Sequence, residues 1–241
     1  MIRTSSSAYQ TDRNSVLRIQ PAQLHPSLQR FGIPVLQETL LLVELEAQEF
    51  CVDLRMFSQL VLNDLGATLQ VLRLVGREYG GAECQPSRVE DCIADMGIQA
   101  CLDVMSAQLI PRGERSQAIA ELWNHSREIA RHAKQIVERT MDIDPDQAYL
   151  VGLCHSIGSL PAVLGGGGTK IQGGDSVHAG LELAKAWSLP HCVISYLSDV
   201  LRYGGSSSLA EMVQAAHRCA GRLSGEGACS EEHRPQLLRA V

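Results

Sequence analysis

LVGLCHSIG, residues 150–158, is the stretch on which the reading of this chain turns. His155 sits beside a small hydroxyl residue, Ser156, in an otherwise apolar, helix-like run. Such a run can be a metal site, the remainder of one, or a core helix that contains a histidine. Its neighbours in the sequence have to decide.

Upstream, Asp144-Pro145-Asp146-Gln147 is a strong helix start, with the Asp as N-cap, the Pro at N1 and the Gln at N3. The helix it opens is expected to carry the motif and to stop at Gly165-Gly166-Gly167-Gly168. Before it, Ser116 to Met141 reads as one long amphipathic helix, with Ile119, Leu122, Ser126, Ile129, Ala133 and Ile136 as its apolar stripe. After it, Asp175 or Ser176 starts a helix that ends near Trp187. Pro190 stands in the first turn of the next, and Ser208-Leu209-Ala210-Glu211 reads as a capping box opening a helix to about Leu223.

Further out, Val35 to Glu46 reads as a first helix and Asp53 as the cap of a second. The run from Leu54 to Gly76 keeps apolar residues at i, i+3/i+4 spacing and is expected to divide near Asn63-Asp64. Ser87-Arg88-Val89-Glu90 reads as a capping box, and Gly97 as the end of that short helix. No run alternates apolar and polar residues between hairpin turns. The fold class is therefore all-α, in two packed helical halves divided near Pro111-Arg112-Gly113. Residues 1–24 read as a flexible polar tail and 224–241 as another.

Bulk composition agrees. The chain has 241 residues, 45 % of them apolar but only 4 % aromatic, which favours helices rich in leucine and alanine over a β-sandwich. A formal charge of −6 speaks against binding nucleic acid by bulk electrostatics. The eight cysteines form no C-x-x-C pair, and most fall in apolar helical runs as small buried hydrophobes do. The leading residues are polar rather than a signal peptide, and no apolar run is long enough to span a membrane. These features imply a cytoplasmic protein with reduced thiols.

The order of polar residues in the second half is specific. Leu122-Trp123-Asn124-His125-Ser126 comes first and Leu150 to Gly158 second. Ser176-Val177-His178-Ala179-Gly180, Trp187-Ser188-Leu189-Pro190 and Ala215-Ala216-His217-Arg218 follow. This order resembles the HDOD family, the HD-related output domain of bacterial signalling proteins. Its members typically show a W-x-H-S helix, then L-x-G-L-L-H-D-I-G, a D-H-A-x-x-G segment and W-x-L-P. In the first half, Leu72-Arg73-Leu74-Val75 with Tyr79-Gly80 resembles the family's L-R-L-A-N-S-x-x-Y-G, and Ser87 to Gly97 its S-x-x-x-A-I-x-x-L-G. The resemblance covers roughly residues 28–223, with 28–112 as the N-terminal half and 116–223 as an HD-like helical bundle.

The family is related to HD-type phosphohydrolases, in which a His, an adjacent His-Asp pair and a later Asp hold a metal that activates water against a phosphate ester. Imidazoles supply neutral nitrogen ligands, and carboxylates offset the charge of the ion. His125 and His155 match the two histidines. Ser156 stands where the Asp of the pair would be, and His217 falls where the later Asp is expected. His178 either packs against His155 or is a relic of a second-metal site. The resemblance thus implies vestigial site positions at His125, His155, Ser156, His178 and His217, no catalytic residue and no cofactor. One alternative keeps the site alive: His125, His155, His178 and His217 could together make an all-imidazole site for zinc or nickel, which needs no carboxylate.

As an ordinary helix serine, Ser156 would bond to a carbonyl one turn back. Arg127, Arg131 and Lys134 form a possible basic contact patch, or simply the solvated face of their helix. The sequence-level reading of function is a non-catalytic signal-transduction output or adaptor module. Its partners would be signalling proteins, such as a kinase, a receiver or a diguanylate cyclase, with no bulk nucleic acid and no membrane. The alternatives are a phosphohydrolase or cyclic-dinucleotide phosphodiesterase with an unusual His-rich site, and a nucleotide sensor that does not hydrolyse.

Overall fold

In the computed structural model, residues 32–79, 88–107, 114–140, 143–164 and 173–223 are described. All regular structure among them is helical. The first half comprises α1 (Gln37–Ala47), α2 (Leu54–Leu62), α3 (Leu65–Tyr79), α4 (Val89–Met96) and α5 (Ile98–Ser106). The second comprises α6 (Glu114–Thr140), α7 (Pro145–Cys154), a 3-10 turn (Ile157–Ser159), α8 (Leu160–Val163), α9 (Gly173–Ala186), α10 (His191–Tyr203) and α11 (Ser208–Leu223). The two tails, the Pro111-Arg112-Gly113 break and the run from Gly165 to Gly168 lie outside the described residues.

Several starts and stops follow their expected chemistry. Asp53 accepts from the amides of Arg55 and Met56. Asp144 accepts from the amide of Asp146, with Pro145 in the first turn. Gly97 ends α4 at φ 82°, a conformation that favours a residue without Cβ. The chain divides at Asn63-Asp64 as expected.

Other boundaries differ. The cap of α11 is Ser207: its hydroxyl accepts from the amide of Ala210, and Ser208 is already helical. With three serines in a row, 206–208, the sequence left the register open by one residue. The N-cap of α4 is Arg88, whose side chain makes no capping bond, while Ser87 lies outside the described residues. Pro190 is the N-cap of α10 rather than a residue of its first turn.

The largest correction concerns the motif itself. It is not one helix running to the glycines: α7 ends at Cys154, and His155-Ser156 turn the chain into the 3-10 segment. Pro161 supplies one reason. In a continuous helix it would forfeit the hydrogen bond to the Ile157 carbonyl and clash with it. Gly158 supplies another, since a Cβ there would collide with the Ser176 carbonyl of α9 and lie 2.9 Å from the Gly180 amide. The chain turns so that its backbone can rest on α9.

Helix α6 packs along α7 and α11, and α3 packs on α4 and α5. Polar bonds join the halves through an apolar core. Asp64, fully buried, accepts from the indole Nε1–H of Trp123 (2.8 Å) and from the amides of Leu36 (2.7 Å) and Ala67 (3.1 Å). The Tyr149 hydroxyl donates to the Leu62 carbonyl. The Arg73 guanidinium lies 5.0 Å from the ring centroid of Trp187. Among the described residues no helix is long and apolar enough to cross a membrane. Of the described cysteines, Cys92, Cys101, Cys154 and Cys192 are buried, and Cys51 is exposed.

Candidate functional site

Three histidines meet where α6, the end of α7 and α11 come together. His125 lies midway along α6, His155 directly follows α7, and His217 lies on α11. The ring centroids are 5.2 Å apart for His125–His155, 5.2 Å for His125–His217 and 4.8 Å for His155–His217. One ring nitrogen from each can be chosen so that all lie within 4.8 Å of one another. All three are half-buried, so the cluster is held by packing yet open on one side.

Local structure aims these rings. Gly152 lets α7 sit close on α6: a Cβ at that position would lie 2.8 Å from the Ala130 Cα. Three residues on, His155 directs Nδ1 to the Gly152 carbonyl at 2.7 Å. A carbonyl can only accept, so Nδ1 carries the proton and the neutral ring keeps its lone pair on Nε2. Burial pushes the His125 pKa below its ordinary value, opposed by the charge of Glu128 one turn on, and so favours the neutral imidazole.

Ser156, beside His155, is held by a second hydroxyl. The Ser156 hydroxyl lies 3.0 Å from that of Ser126, which is fully buried. The two hydroxyls share one hydrogen bond, and Ser156 does not bond to a carbonyl of its own helix, because its helix has already ended. Ser126, read from sequence only as part of the apolar stripe, is thus the partner of Ser156.

His178 is not part of the cluster. It is exposed on α9, whose Ser176 and Gly180 face the Gly158 turn. Two residues from each of these, His178 points away from that contact. The basic patch is also partly engaged. Lys134 pairs with Asp146 at 3.0 Å, Asp146 also pairs with Arg88 of the first half at 3.2 Å, and Arg127 donates to Asn124. Arg131 is exposed. At the junction of the halves a cavity of about 310 Å³ is lined by Arg73, Gly76, Arg77, Ala186, Trp187 and Ser188.

Residues 33–164, more than half of the chain, match the HDOD domain family. The chain belongs to the HDOD family. The match takes in His125, His155 and Ser156 and ends before His178 and His217. Two solved structures of the MmoQ response regulator from Methylococcus capsulatus str. Bath share the HDOD chain's fold. One, of a fragment, is 20 % identical with a TM-score of 0.61 and covers 84 % of this chain and 88 % of that one. The other is 18 % identical with a TM-score of 0.64, covering 83 % and 91 %. No curated protein matches. The all-α class and the HDOD resemblance read from sequence are both borne out. Of the residues that reading missed, Asp64 was legible only as a turn former, since nothing local announces a partner 59 positions away.

Proposed function

We propose that this HDOD chain is a non-catalytic signal-transduction module that acts through protein contacts. One observation carries the reading: the Ser156 hydroxyl, at the position where the family resemblance puts the acid of the HD pair, is engaged with Ser126. The hard divalent ions that serve phosphate chemistry favour oxygen ligands and anionic charge. A neutral hydroxyl offers little of either, and the third converging side chain, His217, is an imidazole. Belonging to the HDOD family, and sharing a fold with a response regulator, favours signalling over metabolism.

The module would extend over residues 28–223 and work in the bacterial cytoplasm, with a kinase, receiver or diguanylate cyclase as the kind of partner. The cavity between the halves is the preferred contact surface. Arg73 and Arg77 in its lining suit an acidic segment of such a partner.

The test is a hydrolysis screen of the purified chain with Mg²⁺, Mn²⁺ and Zn²⁺ against p-nitrophenyl phosphodiesters and cyclic dinucleotides. No turnover above the metal blank is expected, and none from Ser156→Asp alone, because position 217 would still lack its acid. Turnover by the native chain that vanishes in His155→Ala would overturn the proposal.

A further inference from the structure

The acids of an HD-type site are absent at positions 156 and 217, but the two changes are not alike. Ser156 removes a ligand. His217 keeps one, of a different chemical kind, and places it against His125 and His155. Both changes push the donor set from oxygen toward nitrogen. Carboxylate and water suit magnesium and manganese, whereas imidazole suits zinc, copper and nickel.

We infer that His125, His155 and His217 form a three-imidazole site for a borderline divalent ion, zinc or nickel, which pins α6, α7 and α11 together at one point. The geometry is open but near. Tetrahedral zinc with bonds of about 2.1 Å sets its ligand nitrogens about 3.4 Å apart. The three nitrogens already lie within 4.8 Å of one another, and ring rotation closes the remainder. His155 is oriented for this, since its Nδ1–H is directed to the Gly152 carbonyl and Nε2 is the lone-pair nitrogen of that tautomer. Metal-bound histidines are commonly oriented in this way, by a carbonyl that receives the other ring N–H. Glu128, one turn from His125, provides negative charge beside a site whose ligands are neutral. The fourth coordination position falls to solvent. This inference is independent of the non-catalytic reading, because binding is measured without reference to turnover.

The full chain, freed of metal by a chelator and dialysed, should be titrated with Zn²⁺, Ni²⁺, Co²⁺ and Mg²⁺. Bound metal, the visible spectrum of the cobalt form and the melting temperature are the readouts. One equivalent of zinc or nickel is expected, with a rise in melting temperature that magnesium does not produce. The cobalt form should show a low-coordinate spectrum without a thiolate charge-transfer band, since the cysteines take no part. His155→Ala and His217→Ala should each weaken zinc by at least roughly a hundredfold, beyond the cost of losing an outer-shell partner. His178→Ala should bind as the native chain does. His217→Gln, checked by circular dichroism, serves if the alanine variant does not fold, and the cobalt spectrum of the native chain decides the matter if neither does. Substoichiometric metal, a thiolate band, or binding that survives the loss of both His155 and His217 would overturn the inference.

Discussion

At Asp64 a carboxylate without solvent exposure receives hydrogen bonds from two backbone amides, the Trp123 indole and the Thr39 side chain. Burial nonetheless dominates and raises its pKa above 3.8. An acid whose pKa is higher in the folded state binds its proton more tightly there. Folding is thus favoured most below pH 3.8, and stability falls as pH climbs from there through the raised value. The Asp64→Asn variant should lack this slope; parallel stability–pH curves from urea unfolding for the two proteins would contradict it. Asp64→Ala strands four buried or half-buried donors at once and should cost about 3 kcal/mol or more in the same measurement.

At the scale of elements, capping and backbone contact matter more than apolar pattern. Ser207→Ala should destabilise the protein by about 1 kcal/mol, while Ser208→Ala, one residue into α11 and exposed, should change little. Equal effects in thermal or urea unfolding would restore the capping box as first read. The helices themselves were legible because the 3.6-residue repeat and the Asp caps at 53 and 144 are local signals. The break after Cys154 was less so. Its causes are Pro161, which was visible, and the approach of Gly158 to α9, which involves a carbonyl 18 positions away and leaves no periodic trace. The site divides in the same way. His125, His155 and His217 could be named from motif order, but their convergence, the Ser126–Ser156 pair and the separation of His178 depend on how the helices pack.

For the whole molecule, the bonds that cross the halves predict joint unfolding. Trp123 reaches Asp64, Tyr149 reaches Leu62, Arg73 covers Trp187, and Arg88 meets Asp146. Urea unfolding followed by tryptophan fluorescence and by far-ultraviolet circular dichroism should give coincident transitions. Both tryptophans, 123 and 187, lie at this seam and so report its loss directly. Separated transitions would mean that the halves are independent units.

Gly152 and Gly158 bracket His155 at equal distance, one set against α6 and the other against α9. The number of residues between these two backbone contacts is fixed by packing, whatever chemistry the intervening side chains perform. Point substitutions at 155 and 156 leave that spacing intact, whereas an insertion or deletion between 152 and 158 would throw one helix off its seat. The frame around His155 is thus set by two glycines rather than by the side chains between them.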